Sequence, residues 1–207
     1  DGSRRKLTRG TVIILHPLLT SKTWFLEFGE SLAGRGWDVI LPDLRGHGRS
    51  EGEYITWGAK EKHDVKAIVD AVAADGTLIE PVYAVGASLG GMVAVQYGAI
   101  DPRCRGVLAV APPKSCREIT RRVLLMESEK RYRAALARAA ELADFDPDNA
   151  STVAAASKLH GPLLLVHGFL DVLVPYQHSE AILAAAGQPK RLITLPLDGH
   201  ASEVARG

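Results

Sequence analysis

Cysteine is scarce in this chain. There are two in 207 residues, Cys104 and Cys116. Two thiols do not build the disulfide framework of a small secreted scaffold, and neither stands in a C-x-x-C metal spacing. They are expected as two unpaired thiols. An excess of charge of one sign is also lacking, since 25 Lys and Arg oppose 24 Asp and Glu. The net charge of +1 supplies no bulk field for nucleic acid or an anionic membrane. No apolar run approaches the roughly 18 residues that a membrane span requires. No basic segment followed by an apolar one marks a signal peptide, so the expected location is the cytoplasm. The start at Asp1 rather than Met leaves a removed leader open. The chain has no P-loop, no G-x-G-x-x-G after a strand and no metal-ligand cluster, so neither a metal nor an organic cofactor is expected.

What is present is an alternation. Hydrophobic residues make up 46% of the chain and charged residues 24%, an ordinary balance for one domain with a sizeable core spanning residues 1–207. Short apolar runs fall at 11–15, 37–41, 81–85, 106–111, 162–166 and 191–195. Runs apolar on both faces suit the central strands of a parallel sheet. Helical patterns lie between them. Ser21 or Thr23 is placed to cap a helix through Trp24, Phe25, Phe28 and Leu32. Val65, Ile68, Val69 and Val72 form an i, i+3, i+4, i+7 stripe. Met92, Val93, Val95 and Ala99 mark a third helix and 176–185 a fourth. The alternation predicts an α/β fold with a doubly wound, mostly parallel sheet and helices on both faces. Residues 114–158 carry no strand signal, and 119–142 are rich in helix formers. A single crossover does not need a stretch this long, so it is read as a helical cap insertion over the carboxyl edge of the sheet.

Residues 85–91 (VGASLGG) contain G-x-S-x-G. An apolar strand runs into the motif and a helix runs out of it. The turn is tight enough to need Gly86 and Gly90, and it leaves Ser88 at a helix N-terminus, where developing negative charge is favoured. The plainer reading of Ser88 is a helix cap after a glycine turn. Residues 86–91 (GASLGG) resemble the nucleophile elbow of the α/β-hydrolase superfamily. Three further segments match that superfamily in chain order: 15–19 (LHPLL), 42–50 (PDLRGHGRS) and 166–175 (VHGFLDVLVP). The resemblance runs from about Thr11 to His200. It is nearest to small esterases, acyl-transferring enzymes and serine-aminopeptidase-like hydrolases.

The resemblance implies a triad in the chain order Ser, acid, His. Ser88 is its nucleophile. Asp171, at the aspartate of the H-G-x-x-D-x-x-V-P-like segment, is its acid. His178 and His200 follow both, and His200, in the loop after the last strand, is preferred to a helical His178. Asp198 stands too close to His200 to brace it and reads as a turn residue. His16, His47, His63, His160 and His167 fall at positions that suit structural roles, as do Arg45 and Ser50. By the same resemblance the oxyanion donors are the N–H groups of Leu18 and Leu89, although Pro17 stands where glycine is usual. The implied activity is carboxylic-ester hydrolysis of a small-molecule ester or acyl substrate through an acyl-serine. Thioesterase, lipase-like or peptidase chemistry on the same triad, and a slow-turnover binding protein, stay open, as does oligomeric state. The insertion's arginines read as a solvated face, and Trp24, Trp57 and Tyr83 as core or loop-anchoring aromatics.

Overall fold

The computed structural model describes residues 8–200. Six strands form one sheet: β1 (Thr11–Leu15), β2 (Asp38–Ile40), β3 (Val82–Ala87), β4 (Cys104–Val110), β5 (Leu163–Gly168) and β6 (Lys190–Leu195). Their order is β2-β1-β3-β4-β5-β6. The sheet was expected to be mostly parallel, and every pairing is parallel. The winding direction changes at β1, with β2 on one side and β3 on the other. In open α/β sheets that switch point opens a crevice beyond the carboxyl ends of the strands.

The two faces are covered unequally. On one, Ile13, Leu15, Ala84, Val107, Ala109 and Leu165 pack beneath four helices. These are α2 (Glu61–Ala74), α3 (Leu89–Gly98), α6 (Thr152–Ala156) and α7 (Gln177–Ala185). All ten residues of α3 are buried, as expected of a helix apolar on every side. On the other face Val12, Ile14 and Phe25 pack beneath α1 (Leu26–Gly34), where Leu32 meets them. Tyr83, Val85, Leu108 and Val166 on this face are only partly buried.

The entry to α1 differs from expectation. Ser21 makes no capping bond, because its hydroxyl pairs with that of Thr23 at 2.8 Å. A 3-10 turn over Lys22–Phe25 precedes the helix, and the Lys22 N–H is taken by Asp43 instead. Trp24, expected as a core or loop-anchoring aromatic, is 47% exposed within this turn and so lies outside the core.

The segment between β4 and β5 carries α4 (Cys116–Val123), α5 (Glu129–Leu142), a 3-10 turn at Pro147–Asn149, and α6. Ser115, Ser128 and Ser151 each accept a backbone N–H at the start of one of these helices, satisfying donors that a helix start leaves orphaned. Cys116, Tyr132, Leu136 and Ala150 form a small core of their own with Met92 and Ala59. Met92 is one turn into α3, so this helical segment sits against the start of that helix. Cys104 and Cys116 are both unpaired and buried.

Candidate active site

Ser88 joins β3 to α3 with φ 52° and ψ −116°. This is a strained backbone for a residue with a side chain, at a cost on the order of 1–3 kcal/mol. The surrounding contacts hold it there. The Ser88 N–H donates to the Val110 carbonyl at 2.8 Å, and the Ser88 carbonyl accepts from Met92 N–H at 3.0 Å. A Cβ on Gly86 would overlap the Gly90 carbonyl, and one on Gly90 would overlap the carbonyls of Leu15 and His16. The glycines therefore let the loop after β1 lie directly against the first turn of α3. The Ser88 side chain is left in a nearly closed position, 9% exposed.

His200 Nε2 lies 3.0 Å from Ser88 Oγ, across 112 residues of chain. His200 Nδ1 lies 2.7 Å from Asp171 Oδ2. The other carboxylate oxygen accepts the Leu173 and Val174 N–H groups at 2.9 and 2.8 Å. Burial alone would raise the Asp171 carboxyl. Hydrogen bonds from His167, His200 and the Val174 amide outweigh it and hold the group well below the usual carboxylate range. An ionised carboxylate only accepts, so the His200 hydrogen sits on Nδ1 and Nε2 is bare toward the Ser88 hydroxyl. Gly168 permits this approach, since a Cβ there would overlap the backbone of Asp198 and Gly199. The Leu170 N–H donates to the Asp198 carbonyl at 3.1 Å, joining the loop of the acid to that of the histidine. His178 is engaged elsewhere: its Nδ1 accepts the Lys114 N–H, and burial with nearby Lys114 pushes it down to about 4.

The loop after β1 is braced by two histidines. His16 Nε2 accepts the Leu44 N–H at 2.9 Å, so Nδ1 carries the hydrogen and donates to the Pro17 carbonyl at 2.8 Å. Burial holds the His16 imidazole below its usual value. His47 donates from Nδ1 to the Arg45 carbonyl and accepts the Leu19 N–H at Nε2. These contacts account for the structural roles expected of both. Leu18, between the braced residues, is partly buried, and Leu89 is fully buried at the start of α3. Among the described residues neither N–H has a hydrogen-bond acceptor.

The sequence did not reveal two neighbours of the acid. His167 Nε2 stands 3.3 Å from Asp171 Oδ2. Arg122 of α4 donates two N–H groups to the Val172 carbonyl, at 3.1 and 2.6 Å. Most other arginines of the helical segment pair with Glu or Asp on its surface, the solvated face expected of them. Large apolar side chains are exposed in the loops after β1, β5 and β6: Leu19, Phe169, Leu170, Val172 and Leu197. Among the described residues no helix is long and apolar enough to cross a membrane, and no group of His, Cys, Asp or Glu could hold a metal ion.

A family model described as "Serine aminopeptidase, S33" matches residues 6–149, which include Ser88 but neither Asp171 nor His200. An uncharacterized protein of Mycobacterium tuberculosis is 28% identical over 185 residues, or 84% of this chain and 57% of that protein. The chain thus spans less than two thirds of that relative. An esterase of Pyrococcus furiosus superposes with a TM-score of 0.72 at 22% identity, covering 96% of this chain and 78% of the esterase. Est1E of Butyrivibrio proteoclasticus, solved with ferulic acid, gives 0.70 at 22% identity, covering 93% and 82%. At such identities these structures share the fold with this chain.

Proposed function

The chain belongs to the serine aminopeptidase, S33, family of α/β-hydrolases, and from that premise we propose that it is a serine hydrolase cleaving carboxylic esters through an acyl-serine intermediate. One observation carries the reading. A strained serine, an imidazole and an ionised carboxylate from three distant chain segments stand in one hydrogen-bonded line, at 3.0 and 2.7 Å.

In this mechanism His200 Nε2 takes the Ser88 proton as Oγ attacks the ester carbonyl. Asp171 keeps the imidazole in the correct tautomer and stabilises the imidazolium. The carbonyl oxygen becomes an oxyanion, received by the Leu18 and Leu89 N–H groups, each contributing on the order of 3 kcal/mol. His200 then gives its proton to the leaving alcohol. Water repeats the steps against the acyl-serine and releases the acid. The exposed apolar side chains of the loops that carry Asp171 and His200 suit an apolar acyl or alcohol part, and the structural neighbours named as esterases support ester over amide substrates.

The test is a p-nitrophenyl ester series with fluorophosphonate labelling. The protein is expected to release a burst of p-nitrophenol and to gain one adduct, mapped by mass spectrometry to Ser88. Ser88→Ala is expected to lose both. An adduct on another residue, or undiminished turnover by Ser88→Ala, would overturn the reading.

A further inference from the structure

His167 lies at the carboxyl end of β5, four residues before Asp171, and neither side chain has any exposed surface. Its Nε2 is 2.8 Å from the Val174 carbonyl, which can only accept, so Nε2 carries the hydrogen. Its bare Nδ1 accepts from the Ser179 hydroxyl of α7 at 2.6 Å, and Ser179 is fully buried. The tautomer is thereby fixed by a donor on one side and an acceptor on the other. The N–H points chiefly at Val174. Asp171 Oδ2, the oxygen that accepts from His200, is a second and longer acceptor at 3.3 Å.

The turn at 171–174 therefore closes on His167. Asp171 Oδ1 holds the Val174 N–H, and His167 holds the Val174 carbonyl. Asp171 has two donors at each oxygen: the Leu173 and Val174 amides at Oδ1, and the two imidazoles at Oδ2. Neither side chain reaches solvent, so the field of the His167 N–H acts on the carboxylate in a low-dielectric setting.

We propose that His167, locked in one tautomer by Ser179, is a positioning residue that aims the Asp171 carboxylate at His200 and tempers its pull on the imidazole proton. The proposal rests on the reading of Ser88, His200 and Asp171 as a hydrolytic triad. Without the His167 N–H, more charge stays on Oδ2, the imidazolium of His200 is over-stabilised, and the turn carrying the acid loses one of its fastenings. The other titratable groups near this pair are His178 and Tyr176 beside α7, with Lys114 and Glu118 beyond His178. They are common to every variant below, so differences between variants report on His167.

The experiment compares His167→Leu, His167→Gln and Ser179→Ala with the unaltered protein. It measures kcat, KM and the acid limb of the pH profile on a p-nitrophenyl ester. It also measures hydrogen exchange at the Leu173 and Val174 amides, a readout independent of turnover. His167→Leu is expected to lower kcat by about 10- to 100-fold with KM nearly unchanged, by analogy with other partners that orient a reacting group from behind. Its acid limb moves to higher pH and the two amides exchange faster. Glutamine offers an N–H to the same acceptors and recovers most of the loss. Ser179→Ala, a small change that leaves the packing intact, shifts the same readouts in the same direction by a smaller factor. If His167→Leu does not fold, Ser179→Ala decides. Unchanged kcat, acid limb and exchange in the folded variants would overturn the proposal. If the unaltered protein hydrolyses no ester, the proposed function falls. Faster exchange in the variants would still support the positioning of the turn, and unchanged exchange would remove that too.

Discussion

The two oxygens of Asp171 have separate tasks. Oδ1 shapes its own turn through the Leu173 and Val174 amides, while Oδ2 faces His200. Asp171→Asn separates them. The amide carbonyl can still accept the turn's N–H groups, but an NH2 now confronts the Nδ1–H of His200. Two donors cannot face each other, so the imidazole takes its other tautomer and presents Nε2–H to Ser88, where it accepts no proton. The expected result is a fall in kcat of about 10,000-fold with the fold retained, checked by steady-state kinetics beside circular dichroism. Near-normal turnover would show that the carboxylate does not set the tautomer. Of the residues brought together here, Ser88 was legible from local chemistry, a serine between glycines at a strand end, whereas Asp171 and His200 were legible through the resemblance, by its late aspartate motif and its chain order. His167 was legible only as a structural histidine. Its bonds to Ser179 and Val174 depend on where α7 docks, and no spacing encodes that. Of the two roles open to Trp24, core or loop anchor, exposure removes the first: it lies in a 3-10 turn whose Lys22 N–H is held by Asp43, from a distant loop.

Element types followed from periodicity, and element ends from single side chains. The six runs became six strands, and the central ones, β1, β3 and β5, are apolar nearly throughout because both their faces are covered, while the edge strands β2 and β6 have no buried residue. Their limits moved where one residue escapes that rule. β4 begins at Cys104 although Arg105 is exposed within it, and the edge strand β2 keeps three residues. The helix-rich stretch 119–142 proved to be two helices. The apolar run 123–126 disguises the break, which is made by the Ser128 cap and by Arg121 donating to the Leu124 carbonyl at 2.7 Å. The segment is held to α3 by few buried side chains, so it is the element most sensitive to a cavity. Leu136 is 7% exposed and packs in that small cluster. Leu136→Ala is expected to cost about 2–4 kcal/mol in denaturant unfolding. Protease should then cut first within residues 124–128, while the β-sheet signal persists. Loss of both signals together would mean that this segment and the sheet unfold as one unit.

For the whole molecule, carboxylates hold together the loops at the carboxyl edge of the sheet, and this makes acid the condition that should open the site. Asp171 fixes one loop there. Asp43 fixes another, accepting the Lys22 amide at 2.8 Å, the Lys22 ammonium at 2.7 Å and the Arg49 amide at 3.0 Å, with its side chain 3% exposed. Desolvation pushes the Asp43 carboxyl up, but the Lys22 and Arg49 donors overcome it and bring it from 3.8 to about 2. A carboxyl whose folded value lies below its unfolded one stabilises the protein fully above the unfolded value, and that stability disappears as pH falls through the folded value. For Asp43 the window runs from about pH 4 down to about pH 2. A depression of roughly two units corresponds to about 2.5 kcal/mol, and the half-exposed ammonium of Lys22 reduces that through solvent screening to about 1–2 kcal/mol. Asp43→Asn should therefore be less stable than the unaltered protein by about that amount at pH 7, with the difference closing toward pH 2. Urea unfolding at a series of pH values checks it. A gap that stays constant with pH would mean that the three donors act on Asp43 as shape alone. A gap that closes, with ester turnover lost before the helical signal, would place the first acid-induced opening at the edge where Ser88 sits.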